Sequence, residues 1–577
     1  MFLLAACGQP QKLDSIKLKE KTPKKTTPVQ AKPEKFIQGP SNPENQKILI
    51  DQTKAFGLEG VKATHLYAVH LNNDKYIDLA LLPDFYSIPE FYIFNKKKNK
   101  FLKMDHNPFQ KVVKASFLEF SDFNKDGVID VLVMTLNQRS ALKITPPTLF
   151  MGKLDKNNKL VLKQHPFKFP LDSYSSVSVF DYNQDGLLDV YFGNWIDVRK
   201  RPPELRPNRF FQGIEFKESG YYGFQFNEIS DLFKGEWEFN KGSNKYINAR
   251  PTFGTGLCDL NFDGRPEIFN ANTSGHANRV WNLSRVEGKD IFTDVSGNSH
   301  LASDKIGSHL PLGGGHTFYL NCHDYNKSGF FDVAVGELFH SYDLDYKDRS
   351  SILTGSNNTF PYQFIRTEYH KDDGTESWDQ GDRRSIWVDI NADGKSDLLI
   401  DNSGFPPKSR LVSFVQADDY SYADVSLKWG LDVLNPSGTI VLDVDRDGIP
   451  ELLTGQTNIR ESRIQPRVYF FKNHSKAIGQ KLVISFDSYS RGKSFEVLNN
   501  KGQKQRFILE STNGPQSSQS ESKVFIYSGK GIKFKSLHVP VFSKGLKKLS
   551  LEKYKQSKTI NLSFCRGQIS FKKCRNL

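Results

Sequence analysis

The 577-residue chain has no run of about 20 apolar residues, so no membrane-spanning helix is expected. Cysteine is scarce, with five in the whole chain, and neither C-x-x-C nor Cys/His ligand spacing occurs, which argues against zinc. G-x-S-x-G and H-E-x-x-H are missing. The glycine-rich "PLGGGHTF" at 311–318 lacks the strand–G-x-G-x-x-G–helix setting of a nucleotide site. No RNP, KH or helix-turn-helix pattern appears, so specific nucleic-acid recognition is not expected. His276, His316 and His323 could line a pocket with Asp382 or Asp324, although scattered loop histidines are the plainer account. These absences leave a non-enzymatic protein as the expectation.

What is present is aromatic, glycine-rich and repetitive. Phe (45) and Tyr (22) are plentiful beside 42 glycines, a balance that leans towards β-structure. The stretch "DFNKDGVID" at Asp122–Asp130 recurs as "DYNQDGLLD" from Asp181, "DLNFDGRPE" from Asp259, "DYNKSGFFD" from Asp324, "DINADGKSD" from Asp389 and "DVDRDGIPE" from Asp443. A weaker copy, "HLNNDKYID", starts at His70, with Lys75 in place of glycine. The starts lie 52 to 78 residues apart. Each copy runs into a short apolar stretch that reads as a buried strand. A unit of this length accommodates a four-stranded sheet, and such sheets repeated around an axis form a β-propeller. Seven copies predict an all-β, seven-bladed β-propeller over residues 46–475.

The loop chemistry points to Ca2+. Oxygen ligands at positions 1, 3 and 5, a turn glycine at 6 and a carboxylate at 9 form a small cage of hard donors. The ligand sets are Asp122, Asn124, Asp126 and Asp130; Asp181, Asn183, Asp185 and Asp189; Asp259, Asn261, Asp263 and Glu267. The others are Asp324, Asn326, Ser328 and Asp332; Asp389, Asn391, Asp393 and Asp397; and Asp443, Asp445, Asp447 and Glu451. An EF-hand is excluded, because a strand follows and Val133 stands twelfth, where a bidentate Glu is needed. Without metal the same residues would form self-capped Asx turns. Repetition of clustered carboxylates favours several structural calcium ions.

The repeats resemble FG-GAP/VCBS repeats, such as those of integrin α-chain propellers, over about residues 60–475. The following "GQKQRFILESTNGPQSSQSES" and "SKG" near Pro540 resemble the ASPIC/UnbV module of cartilage acidic protein-like proteins. That module's usual His-Phe-Gly-Leu-Gly segment is replaced here by "VFIYSGKG". The resemblance implies a non-catalytic, exported binding protein with a small C-terminal β-domain at 476–577.

Leu4-Ala5-Ala6-Cys7 resembles the lipobox of bacterial lipoproteins, which implies lipidation of Cys7 and anchorage in the envelope, with outer-membrane placement following from Gly8. Residues 1–7 would be a signal remnant, since six residues before Cys7 are too few for a full signal segment. Residues 8–45 are rich in Lys, Pro, Thr and Gln and read as a disordered tether. Cys565 and Cys574 could close a small disulfide loop, while Cys258 and Cys322 read as separate buried thiols. Residues 476–577 hold 21 Lys/Arg against 5 Asp/Glu, and the tether 8 against 4, so residues 46–475 carry about −6 of the +14 total. The expected function is binding or adhesion to a protein or glycan at the cell envelope, as a monomer. A polysaccharide-acting enzyme on the same scaffold and a complex-assembly scaffold are the alternatives. The longest inter-motif segment contains "RKRPPELRPNRFFQGIEFKESGYYGFQF", the expected ligand-contacting insertion.

Overall fold

The computed structural model describes residues 47–571 apart from 137–143, 201, 298, 303–314, 340–348, 369–379, 405–408, 511 and 567. Cys7, the tether and Cys574 lie outside the described residues. Among the described residues the protein is all-β, with one four-residue α-helix, Ser426–Trp429.

Each copy of the repeat lies between the first two strands of an antiparallel meander. Sheet I comprises His65–Val69, Asp78–Leu82, Glu90–Asn95 and Lys100–Lys103; sheet II comprises Phe117–Ser121, Asp130–Met134, Thr148–Leu154 and Leu160–Gln164. Sheet III comprises Tyr174–Phe180, Asp189–Asn194, Arg209–Glu215 and Phe224–Glu228; sheet IV comprises Thr252–Cys258, Glu267–Asn272, Arg279–Val286 and Lys289–Asp294. Sheet V (Thr317–His323, Asp332–Phe339, Ser351–Gly355, Phe364–Glu368) and sheet VI (Gln380–Val388, Asp397–Asn402, Leu411–Gln416, Tyr422–Asp424) are joined by a short pairing of Leu338 and Phe339 with Gly381 and Gln380. Sheet VII comprises Pro436–Leu442, Glu451–Gln456 and Arg467–Asn473, and its fourth strand is Leu49–Asp51 from the other end of the chain.

The second strands are buried on both faces, which is why they read as continuous apolar runs. Fourth strands such as Leu160–Gln164 are exposed along part of their length, as edges are. Consecutive sheets share apolar cores. Leu118 and Phe120 of sheet II pack with Tyr67 and Leu82 of sheet I. Phe180 and Phe210 of sheet III pack with Ile268 and Trp281 of sheet IV. The succession closes, because Ile440, Leu453 and Phe470 of sheet VII share a core with Leu66, Leu79 and Phe94 of sheet I.

The cysteine expectation is corrected at one such junction. Cys258 and Cys322 are a disulfide, with Cα atoms 5.9 Å apart, joining the first strands of sheets IV and V. The repeat places these residues at neighbouring strand ends, a proximity that a separation of 64 residues conceals. Closing a loop of that length contributes about 4 kcal/mol in the chain-entropy account. Cys565 is also disulfide-bonded.

After sheet VII the chain forms two further sheets around their own core, which includes Leu482, Phe495, Leu537 and Phe564. One holds Ser494–Asn499, Lys504–Ile508, Phe534–Val541 and Gly545–Ser550. The other holds Lys481–Phe486, Lys523–Tyr527, Thr559–Cys565 and Gln568–Ser570, with Lys481–Phe486 parallel to Thr559–Cys565. These two sheets are termed the cap.

Candidate functional site

In the six full repeats the loop backbone has one shape. Position 4 is left-handed (Lys125, Gln184, Phe262, Lys327, Ala392 and Arg446, φ 57° to 65°), and so is the glycine at position 6, for instance Gly127 at φ 83°. The first carboxylate accepts the position-6 N–H each time: Asp122 from Gly127 (2.9 Å), Asp181 from Gly186 (2.9 Å), Asp259 from Gly264 (3.0 Å), Asp324 from Gly329 (3.0 Å), Asp389 from Gly394 (2.6 Å) and Asp443 from Gly448 (3.3 Å). Position 3 accepts the position-5 N–H through Asn124, Asn183, Asn261, Asn326, Asn391 and Asp445. Position 5 accepts the position-7 N–H through Asp126, Asp185, Asp263, Ser328, Asp393 and Asp447. The oxygens at 1, 3 and 5 are thereby gathered inside one turn.

Position 9 does something the sequence did not disclose. Asp130 accepts the Phe123 N–H at 2.7 Å with one oxygen and the Gly152 N–H at 2.7 Å with the other, clamping the loop to the third strand. Asp189, Asp332 and Asp397 make the same pair of bonds, to Tyr182 and Gly213, Tyr325 and Gly355, and Ile390 and Gln416. Glu267 and Glu451 reach Leu260 and Val444 with one oxygen and give the other to Asn282 with Tyr362, or to Lys472. An oxygen with one N–H partner retains a lone pair. The missed signal is the third-strand glycine: a Cβ on Gly152 would collide with the Ile129 carbonyl oxygen.

A bound cation would relieve the electrostatics of these loops. Burial pushes Asp122, Asp181 and Asp443 up to about 6 and Asp259 and Asp324 up to about 7. Asp389 and Asp397 are raised as well, by burial and then by neighbouring carboxylates. At Asp181 the fit is cleanest, because its Oδ1 is buried without a hydrogen-bond partner. Carboxylate oxygens of Asp443, Asp445 and Asp447 lie within 4.8 Å of one another. There, however, Lys472 reaches Asp445 (2.5 Å) and Lys523 reaches Asp443 (3.4 Å), so internal ammonium groups supply part of the positive charge.

The first repeat departs from this pattern. Neither Asn73 nor Lys75 is left-handed, and His70 Nδ1 lies 2.9 Å from the Tyr76 carbonyl oxygen. Asn72 and Asp74 still accept the Asp74 and Tyr76 N–H groups (2.9 and 2.7 Å), and Asp78 still accepts from Leu71 (3.0 Å) and Phe94 (2.8 Å), so what is lost is the first carboxylate and the left-handed pair.

The loop face is covered by the cap. Tyr489 Oη donates to the carbonyls of Asp122 (2.7 Å) and Phe123 (2.9 Å), Ser494 Oγ donates to Asp259, the Arg506 N–H donates to Asp324 (2.9 Å) and Tyr527 Oη donates to the Gly448 carbonyl (2.8 Å). Buried Arg491 pairs with Glu119.

Residues 512–521, "TNGPQSSQSE", leave the cap and thread the middle of the ring, touching the first strand of all seven sheets. Gln519 exchanges backbone bonds with Leu66 and Ala68 of sheet I, and its amide bonds Phe120 of sheet II. The Gln516 N–H donates to Ser175 of sheet III and the Gly514 N–H to Thr255 of sheet IV. A Cβ on Gly514 (φ 78°) would lie 3.3 Å from Tyr319 Cβ of sheet V, so close approach and backbone both favour glycine. Asn513 donates to Ser385 of sheet VI and the Val441 N–H of sheet VII donates to Ser520. Uncharged hydroxyl and amide side chains can satisfy these strand edges without burying charge.

The expected insertion is split by the fold. Residues 195–208 connect the second and third strands of sheet III and lie on the face opposite the repeat loops, whereas 216–223 lie on the loop face. The described arginines have internal partners: Arg199 pairs with Asp197, Arg206 with Asp172 and Glu204, and Arg209 with Asp172 and Glu228. The histidines separate too. His316 accepts from the Ser274 N–H beside His276, while His323 bonds Ser396 (2.7 Å) at the far end of its strand.

No protein-family model and no curated protein matches the chain. Among solved structures, a lectin from Agrocybe aegerita that recognises non-reducing terminal N-acetylglucosamine is 12% identical, with a TM-score of 0.37 over 64% of this chain and 84% of that one. The rhamnogalacturonan lyase YesW is 11% identical, with a TM-score of 0.31 over 73% and 91%. A putative 6-phosphogluconolactonase from Bacteroides uniformis is 9% identical, with a TM-score of 0.32 over 70% and 95%.

Proposed function

We propose that the protein is a non-catalytic, exported binding protein of the bacterial envelope. In this reading the seven sheets are the blades of a calcium-stabilised β-propeller and the cap is its C-terminal β-domain. Cys7 carries lipid, and residues 8–45 are the tether. A protein or glycan ligand is met by the loops opposite the cap. The observation that carries the non-catalytic reading is the filled centre: 512–521 occupies the position where a propeller enzyme would set its reacting groups. The buried disulfide between sheets IV and V accords with export to an oxidising compartment.

Asp181, Asn183 and Asp185, with their counterparts in the other five full repeats, would hold calcium. The bound ion supplies charge neutralisation to carboxylates that burial disfavours. The chain's own part is to gather those oxygens by two left-handed residues and to lock each loop to its sheet through position 9.

The test is incubation of the purified full chain with a panel of envelope glycans and with envelope extracts. Retention of a glycan or protein without turnover is expected. Release of any glycan product would overturn the non-catalytic reading.

A further inference from the structure

The cap does not seal the ring evenly. A cavity of about 600 Å³ remains between it and the loops of sheets I, II and VII, within the range of about 300–1,000 Å³ usual for small-ligand sites. Lys75, Arg446, Thr559, Asn561 and Arg566 are exposed at its walls, so it opens to solvent.

Four cations in this cavity, Lys75, Lys125, Arg446 and Arg566, have no side-chain ion pair with a carboxylate among the described residues. Lys75 and Arg446 stand over the Tyr76 ring at 5.4 and 6.0 Å, and Lys125 stands over Tyr489 at 5.2 Å. The acids of the walls are engaged internally. Asp122 accepts from Asp126 and Gly127, Asp447 from Ile449, Asp487 from Ser490, and Asp443 and Glu521 share Lys523. The cavity therefore offers unpaired cations beside the exposed hydrogen-bonding side chains of Thr559 and Asn561.

We infer that this cleft is a binding site for an anionic oligosaccharide, with Lys75, Arg446 and Lys125 meeting its carboxylate or sulfate groups. The first repeat then has a use of its own. Where the other six loops place glycine at position 6, it places Lys75 at the cavity wall. This site lies on the cap side and stands whether or not the opposite loops bind a ligand.

The experiment is calorimetric titration of the full chain, at fixed calcium and ionic strength, with tetragalacturonate, a sulfated tetrasaccharide and neutral maltotetraose. One or both anionic probes should bind, weakening as salt rises, and the neutral one should not; which one binds identifies the anion. K75E/R446E should weaken binding about tenfold or more at unchanged melting temperature, as loss of charge-assisted contacts requires. K530E/K533E, on the outer cap surface, should leave it unchanged. Lys125→Gln supplies the same readout should the double variant misfold. Absence of binding by both anionic probes, or equal loss in K530E/K533E, would overturn the inference.

Discussion

The first repeat and the other six occupy the same place in successive sheets, yet only part of their chemistry is shared. All seven use the position-9 carboxylate to fasten the loop, as Asp78 and Asp130 show. Only six adopt the paired left-handed backbone that gathers positions 1, 3 and 5. The clamp thus belongs to the fold, whereas the first repeat, though Asn72 and Asp74 keep their turn bonds, lacks the position-1 carboxylate and the position-6 glycine that complete the oxygen cage. A motif read as one unit is two devices with separable effects.

The largest expected effect separates the cage from the fold. Chelating calcium should lower the melting temperature by on the order of 10 °C while far-ultraviolet circular dichroism stays β-type, since several sites each contribute mass-action stabilisation.

Breaking the clamp comes next and should not respect the difference between repeats. Asp78→Asn and Asp130→Asn should each cost about 2–3 kcal/mol in denaturant unfolding, because each leaves a buried N–H without its acceptor. A loss confined to Asp130→Asn would mean that position 9 acts through metal alone.

Without calcium, pH should act in an unusual direction. Folded-state values raised to about 6 for Asp122, Asp181 and Asp443, and to about 7 for Asp259 and Asp324, lie above the unfolded value of about 4. Their contribution to stability is complete below pH 4 and is lost as pH rises through 6 to 7. Melting temperature in chelator should therefore fall between about pH 4 and 7, and calcium should abolish the fall.

The smallest effect sharpens the backbone contrast. Gly127→Ala should cost about 1–2 kcal/mol, since φ is 83° there, whereas Lys75→Gly should gain nothing from relief of left-handed strain.

The repeat was legible because its oxygen residues recur at fixed offsets and each copy runs into a buried second strand. Sheet closure by Leu49–Asp51 was not, because three residues carry no period and their partner lies across the whole chain. The 512–521 segment was hidden for a related reason. Its backbone, together with the side chains of Asn513, Gln519 and Ser520, meets the first strands of seven sheets, a demand set by three-dimensional surroundings. The Cys258–Cys322 pair depended on knowing that sheets IV and V are neighbours. In the candidate loops, residue type disclosed positions 1, 3 and 5, while the clamp role of position 9 required sight of the third strand.

Calcium stoichiometry of the full chain, measured by equilibrium dialysis with elemental analysis for the wild type and for K75A, tests the central claim most directly. Five or six ions per chain, unchanged in K75A, is the predicted result. No bound calcium would reduce the six loops to self-capped turns, and a seventh ion per chain would place metal in the repeat from which the account excludes it.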